Sequence, residues 1–120
     1  MSSYSSSWTV PAPVANIIPA AVYAAPTVGM KVQAQTPYSF KCRSGLTFTT
    51  YPVTLEINVS GVDGAATISM NAHNFGFGPL QTGACRDRVT KLFGAMSNIL
   101  QAWAQQQAGP ATAPQTGPTS

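Results

Sequence analysis

Few residues in this sequence could perform acid–base, nucleophilic or metal chemistry. The candidates are three carboxylates, one histidine and two cysteines, namely Glu56, Asp63, Asp87, His73, Cys42 and Cys85. General acid–base catalysis needs titratable groups held close together, and none of these carboxylates is paired along the chain. A Cys–His dyad would require His73 to turn inward, whereas the alternation of its segment points it outward. The sequence therefore predicts a protein that is not an enzyme and has no catalytic residues.

The sequence also offers few residues or motifs that could bind a metal or a cofactor. The four-ligand spacing of a zinc site is absent, and the chain has neither a nucleophile elbow nor a phosphate-binding loop. Cys42 and Cys85 both face inward by strand parity and helical phase. Two interpretations stay open for them: inert buried thiols, or a disulfide if their Cα atoms approach within about 7 Å. We expect no metal, and no cofactor or cofactor-binding residue.

The most distinctive segment is 74–83, with the sequence NFGFGPLQTG. Its turn residues are Phe75, Gly76, Phe77, Gly78 and Pro79. Two aromatic rings spaced by glycines could stack on bases, as in an RNA-recognition module. That module needs a strand after its closing helix, and here a polar tail follows. The sequence therefore favours a structural turn in which Phe75 or Phe77 fills the edge of the core.

Charge also argues against nucleic acid as a partner. The chain has six basic and three acidic residues, a net charge of +3, and only 8% charged residues. The basic residues form two groups, Lys31, Lys41, Arg43 and Arg86, Arg88, Lys91. These groups are predicted to lie on opposite sides of a sheet, whereas a nucleic-acid footprint needs cations clustered on one surface. We interpret them as solubilising charges.

Two hairpins are predicted to precede the motif. Apolar and polar side chains alternate over 53–60 and again over 66–73, with a Gly-containing turn between them. The same alternation over 30–35 and 40–45, interrupted by a Pro-containing segment, predicts the other hairpin. In this second hairpin Gln33 and Gln35 are placed on the polar face. Segment 46–52 either extends the hairpin or forms a loop.

Helices are predicted near both ends of the chain. Apolar residues at helical spacing predict a helix over 84–105, capped by Thr82 or Gly83. A shorter helix over 17–25 has Asn16 as its N-cap and Pro19 in its first turn. A short edge strand over 7–11 completes the order β-α-β-β-β-(β)-α. This order predicts an α+β fold, with an antiparallel sheet of four to five strands and two helices packed on one face.

The composition predicts a single domain. We expect a flexible leader over 1–7, one α+β domain over 8–105 and a disordered low-complexity tail over 106–120. No apolar run reaches the ~18 residues of a membrane span. Two cysteines are too few for a disulfide scaffold, which favours the cytoplasm. A cleaved targeting segment over 1–25 is the alternative, although the first 30 residues contain no Lys or Arg.

The element order and the motif together resemble a family of small bacterial α+β domains. In some of these domains the last strand runs into a motif like NFGFGPIQSG just before the closing helix, and segment 74–83 is similar to it. Leu80 and Thr82 are mild departures. The resemblance implies the α+β fold and implies no activity.

The remaining candidate for function is the polar face of the predicted sheet. It carries few charges, and charge depletion is typical of interface cores. The candidate interface residues are Gln33, Gln35, Thr54, Asn58, Thr67, Ser69 and Asn71. They predict a non-enzymatic interaction or structural domain that self-associates or joins a larger assembly with a protein partner. The alternative is a small-molecule or lipid-binding domain, with an apolar pocket between the first helix and the sheet lined by Ile18, Val22 and Met70. Weak nucleic-acid binding is the third hypothesis.

Overall fold

The computed structural model describes residues 2–45 and 51–108. In chain order the described elements are β1 (Ser2–Val10), α1 (Val14–Thr27), β2 (Met30–Gln35), β3 (Ser39–Ser44), β4 (Thr54–Val62), β5 (Ala65–Asn74) and α2 (Pro79–Ala108). They confirm the predicted α+β class, with five antiparallel strands and two helices in the described part of the chain. The predicted loop or extension over 46–52 falls largely on 46–50, and most of the predicted tail falls on 109–120, outside the described residues.

The strand order in the sheet is β1-β5-β4-β3-β2, and every neighbouring pair is antiparallel. The β4–β5 hairpin matches the predicted alternation. Its strands are joined by Asp63 and Gly64 alone, a two-residue connection in which Gly64 has φ +86°. An Asp-Gly pair suits such a turn because glycine adopts positive φ without a steric penalty.

Strand β1 corrects the predicted leader. Segment 1–7 was expected to be flexible, yet β1 begins at Ser2 and pairs with β5 from Ser2↔Asn74 to Val10↔Ala66. Its inward positions include Tyr4, Trp8 and Val10, which pack against the core. The serines between them obscure this alternation. The strand lies at the edge of the sheet, as the sequence predicted.

A β-bulge in β2 corrects the predicted position of Gln35. The register is Val32↔Cys42 before the bulge and Ala34↔Lys41 after it, so Gln33 is the extra residue. A bulge reverses the side-chain parity of the strand beyond it. Gln35 therefore pairs with Phe40 and lies on the helix side of the sheet, whereas the sequence placed it on the polar face.

Helix α1 begins three residues before its predicted start, at Val14 instead of Ile17. Asn16 is not its N-cap. The Val14 N–H instead donates to Oδ1 of Asp63 at 2.9 Å, across 49 positions of sequence. A carboxylate at a helix N-terminus satisfies a free N–H and opposes the helix dipole. Because the helix starts earlier, Pro19 lies in its interior and not in the first turn.

Helix α2 also begins earlier than predicted, at Pro79 instead of Ala84, so neither Thr82 nor Gly83 caps it. It continues three residues beyond the predicted end, to Ala108. The core lies between the two helices and the inward face of the sheet. Its fully buried large side chains come from both helices, β3, β4, β5 and the segment before β4: Ile17, Leu55, Ile57, Ile68, Met70, Leu92, Met96, Val53, Val89, Cys42 and Cys85.

Candidate functional site

The space between α1 and the sheet is filled by side chains. Ile17, Ala21 and Ala24 of α1 have no exposed surface, and Met70 on the facing strand is 1% exposed. Alanines bring the helix close to the strands, which leaves no room between them for a ligand. The pocket expected from the sequence in this interface, with Met70 in its wall, is therefore not formed there.

An open groove instead lies along the flank of α1, and we call it the α1 groove. Its volume is about 890 Å³. Its walls are formed by α1, the β2–β3 connection and the β4–β5 turn: Val14, Ala15, Ile18, Pro19, Val22, Tyr23, Gln35, Thr36, Pro37, Tyr38 and Asp63. Two of the three expected lining residues, Ile18 and Val22, are among them.

The β2–β3 connection is held rigid by local hydrogen bonds. The Thr36 N–H donates to the Ser39 carbonyl at 2.8 Å, and the two hydroxyls lie 2.7 Å apart. The Tyr38 carbonyl accepts the Val59 N–H at 2.9 Å, which ties the connection to β4. This turn holds the exposed Tyr38 ring against the groove. The bulge at Gln33 directs Gln35 into the same groove, a position the sequence did not reveal.

The opposite wall is set by helix packing. Tyr23 meets Trp103 of α2 edge to face, with ring centroids 6.1 Å apart and planes at 84°. Pro19 has no N–H, so the Ala15 carbonyl lacks the donor that a helix normally supplies four residues later. Both Ala15 and Pro19 line the groove. Among the described residues, Asp63 is the only one with a charged side chain in the groove wall.

The NFGFGPLQTG motif forms the turn from β5 into α2. Gly78 has φ +96°, and its carbonyl accepts the Thr82 N–H at 3.1 Å in the first turn of the helix. Gly76 is buried against the Gln81 side chain, so closely that a Cβ at this position would lie 2.5 Å from Gln81 Cγ. The predicted structural turn is therefore present. Gly78 suits its positive φ, and Gly76 leaves room for the Gln81 side chain.

A buried polar cluster lies beneath this turn. Gln81 Oε1 accepts hydrogen bonds from the Asn74 side-chain amide at 3.0 Å and from the Tyr51 N–H at 3.1 Å. The Ser2 hydroxyl donates to the Gly76 carbonyl at 2.9 Å. These bonds join the start of β1, the end of β5, the start of α2 and the segment before β4. They fix the path of the motif.

The two phenylalanines of the motif do not fill the core, which corrects the predicted plug. Phe75 is 66% exposed and Phe77 is 81% exposed, and Leu80 beside them is 60% exposed. We call these three side chains the apolar tip. The sequence could not show that these side chains are exposed. Their residue types favour burial, and the geometry of the turn determines their exposure.

The three carboxylates lie on separate elements. Glu56 is on the solvent side of β4, Asp63 is in the β4–β5 turn, and Asp87 pairs with Lys91 on α2 at 3.3 Å. Neither cysteine is in a disulfide. The Cys42 thiol lies 3.9 Å from the Met30 sulfur, and burial raises its pKa to about 12. Burial also raises the pKa of Cys85, so both groups are held as thiols.

Within residues 2–45 and 51–108, no group of three or more His, Cys, Asp or Glu side chains could hold a metal ion. The same residues contain no helix that is both long and apolar enough to cross a membrane.

The solvent side of the sheet, which we call the outer face, collects most of the predicted interface residues. Five of the seven lie on it in β4 and β5: Thr54, Asn58, Thr67, Ser69 and Asn71. Strand β1 extends the polar surface, because Ser5 and Ser7 bond to Asn71 and Ser69 across the pair. Gln33 lies at the bulge, and Gln35 lies on the helix side as described above.

Two solved structures share this fold at low sequence identity. DynU16, a protein in the dynemicin biosynthetic locus, aligns with a TM-score of 0.63 and 12% identity over 84% of this chain and 48% of its own. Ara h 8.0201 aligns with a TM-score of 0.55 and 15% identity over 83% of this chain and 97% of its own. The aligned region is thus about half of DynU16. No family model and no curated protein sequence matches the chain.

Proposed function

We propose that this protein binds a small apolar or amphipathic molecule in the α1 groove without catalysing a reaction on it. The observation that carries the proposal is the groove itself, whose volume of about 890 Å³ falls in the roughly 300–1,000 Å³ range of small-molecule sites. Its wall combines aliphatic and aromatic side chains with a few polar groups, which is the usual composition of such sites. The separated carboxylates and the buried thiols support a binding role over catalysis.

The groove also restricts the charge of the ligand. No Lys or Arg of the described ranges 2–45 and 51–108 lines it, whereas Asp63 contributes a carboxylate at one end. A bound anion would therefore meet a like charge without a cation to offset it. The expected ligand is neutral or cationic, with an apolar body against Ile18, Val22 and Tyr38.

Filling the groove tests the proposal. Ala15 is exposed and lines the groove, so Ala15→Trp narrows the site without changing the core. The probe is Nile red, a neutral dye whose emission shifts to the blue in apolar surroundings. We expect wild type to bind the dye and Ala15→Trp to weaken binding at least about tenfold, since one large side chain occupies the ligand volume.

The matched control is Ala102→Trp, an exposed position on α2 outside the groove wall. It adds the same ring to the protein surface and should leave dye binding unchanged. Equal binding by wild type and Ala15→Trp would contradict the proposal. So would dye binding that disappears only when Phe75 and Phe77 are replaced, because that result would place the dye at the apolar tip.

A second candidate function, self-association, is favoured by the open edge of β1. This strand is nine residues long and carries no charge and no proline. Among the described strands it pairs with β5 alone, on one side. Natural edge strands are commonly blocked by charges, prolines or bulges, and β1 has none of these. A second copy could therefore pair with it in an antiparallel arrangement.

Lysine placed on the edge strand distinguishes this edge from the outer face. Ser5→Lys/Ser7→Lys introduces charge on β1, and Asn58→Lys/Ser60→Lys introduces the same charge on the interior strand β4, on the same face. Pairing through the edge predicts that only the β1 variant shifts a dimer to monomer in light scattering. Loss of the dimer in the β4 variant alone would assign the contact to the outer face. A wild-type monomer at all concentrations would exclude self-association.

A further inference from the structure

The apolar tip is a second exposed surface, and the α1 groove does not account for it. Phe75, Phe77 and Leu80 follow one another around a turn that is fixed from beneath by Gln81 and Asn74. The tip lies at the end of the sheet where β5 ends and α2 begins. The β4–β5 turn with Asp63, which closes the groove, lies at the opposite end. Three large apolar side chains held outward by a rigid turn are typical of an interaction site.

Basic residues lie near this end of the fold, both on the outer face of the sheet and on α2. One row of the sheet register reads Lys31↔Arg43↔Thr54↔His73, and His73 is two residues before Phe75. With strands about 4.8 Å apart, Arg43 and Lys31 are about 10 and 14 Å from the last strand before the tip. Arg86 is seven residues into α2 from Pro79, about 10 Å along the axis. The screening length at physiological ionic strength is about 8 Å, so Arg43 and Arg86 lie a little beyond one screening length and Lys31 lies nearly two away.

The acidic side chains do not neutralise this end. Asp87 is paired with Lys91, and Glu56 lies in the next row of the sheet opposite Lys41. Within residues 2–45 and 51–108, Lys31, Arg43 and Arg86 are in no ion pair. Arg88 is also at this end, where its guanidinium donates to the Val28 carbonyl at 2.6 Å. The tip therefore combines exposed apolar side chains with unopposed positive charge.

We propose that the apolar tip docks the protein onto an anionic lipid surface, with Phe75, Phe77 and Leu80 entering the interfacial region and Lys31, Arg43 and Arg86 lying near the headgroups. Aromatic and aliphatic side chains partition into this region, and each cation near an anionic leaflet adds attraction. A second copy is a poor occupant, because face-to-face tips would place the same cations against each other. Nucleic acid is disfavoured because Leu80 offers a base no stacking surface and the outer face of the described strands carries no aromatic side chain.

Vesicle flotation tests this docking with the intact chain. We expect wild type to float with phosphatidylcholine vesicles that contain phosphatidylserine and to bind less to phosphatidylcholine alone. Phe75→Ser/Phe77→Ser should lower binding to both by more than about tenfold, since each buried methylene contributes about fourfold. The control Val62→Ser removes an equally exposed apolar side chain from the opposite end, where Val62 is 67% exposed, and should leave binding unchanged.

A separate set of variants tests how much the basic residues contribute to vesicle binding. Lys31→Gln/Arg86→Gln should weaken binding to the anionic vesicles about fivefold for each cation and leave binding to neutral vesicles unaltered. Lys41→Gln, opposite Glu56, is the matched control. Circular dichroism verifies the fold of each variant. Absence of flotation, equal loss with Val62→Ser, or no loss with Phe75→Ser/Phe77→Ser would overturn the proposal. The proposal would also be overturned if wild type bound single-stranded RNA or formed a dimer instead of binding vesicles, and if Phe75→Ser/Phe77→Ser removed that property.

Discussion

Replacing Gly76 by alanine tests the steric reason for the glycine in the NFGFGPLQTG motif. The backbone of Gly76 does not have positive φ, so alanine can adopt it without strain. The added Cβ would nevertheless lie 2.5 Å from Gln81 Cγ, 2.7 Å from Cδ and 2.9 Å from Oε1. These separations are shorter than any van der Waals contact, so the Gln81 side chain must move.

The loss of stability caused by Gly76→Ala depends on the hydrogen bonds that Gln81 accepts. Overpacking a filled site costs about 1–3 kcal/mol. If Gln81 swings away, the buried Asn74 amide and the Tyr51 N–H lose their acceptor, and each unsatisfied group costs about 1–3 kcal/mol. Overpacking and loss of these bonds are alternative ways to relieve the clash, and the less costly one sets the outcome. We therefore expect Gly76→Ala to lower the unfolding free energy by about 1–3 kcal/mol.

A double-mutant cycle measured by urea unfolding isolates the contact. Gln81→Ala alone should destabilise the protein by about 2–6 kcal/mol, since it removes the acceptor of two donors. In that background Gly76→Ala meets no clash and should be neutral or stabilising by up to about 1 kcal/mol. Gly94→Ala is the control, since nothing lies within 4 Å of its added Cβ. If Gly76→Ala costs the same in both backgrounds, within about 0.5 kcal/mol, the contact with Gln81 does not explain this glycine.

Three further predictions concern stability. Asp63→Ala should lower the unfolding free energy by about 1 kcal/mol and Tm by about 4–8 °C, because the Val14 N–H loses its cap; Asp63→Asn keeps an acceptor and should recover most of the loss in the same thermal scan. The unfolding free energy should fall as pH rises from 9.0 toward 12, because the unfolded chain releases the Cys42 proton while burial holds its folded pKa at about 12. Urea unfolding across this range should show a flatter profile for Cys42→Ala, and an unchanged slope would contradict the assignment. Phe93→Ala removes the ring stacked 4.0 Å from Trp8, so it should destabilise the protein by about 2–4 kcal/mol and redden Trp8 emission; unchanged emission would argue against the stack.

Local patterns were sufficient to predict the hairpins and the apolar face of α2. The β4–β5 hairpin could be predicted because its alternation, its turn and its register all lie within a short stretch of chain. Strand β1 could be predicted only near its end, over 7–10, because its partner β5 is more than 50 residues away and two of its five inward positions are serines. A bulge is equally hidden, since one extra residue at Gln33 leaves the composition unchanged and still moves Gln35 to the other side of the sheet.

The candidate sites depended even more on tertiary structure. The α1 groove is bounded by a helix flank and two turns that are distant in sequence, and the N-cap of α1 comes from Asp63 in one of those turns. The apolar tip was visible in the sequence as a motif, but its exposure was not. Its phenylalanines could be assigned to either the core or the surface until the positions of Gly76 and Gln81 were known.

The groove and the tip can be tested separately because neither depends on an opening of the core. The core between α1 and the sheet is closed by side chains such as Ile17 and Met70, which have almost no exposed surface. A ligand in the α1 groove therefore leaves the β5–α2 turn in place, and a membrane at the tip leaves the groove facing solvent. Ala15→Trp should consequently reduce dye binding without affecting flotation. Phe75→Ser/Phe77→Ser should reduce flotation without affecting dye binding. If each variant impaired both properties, a single shared surface or a common loss of structure would be the simpler account.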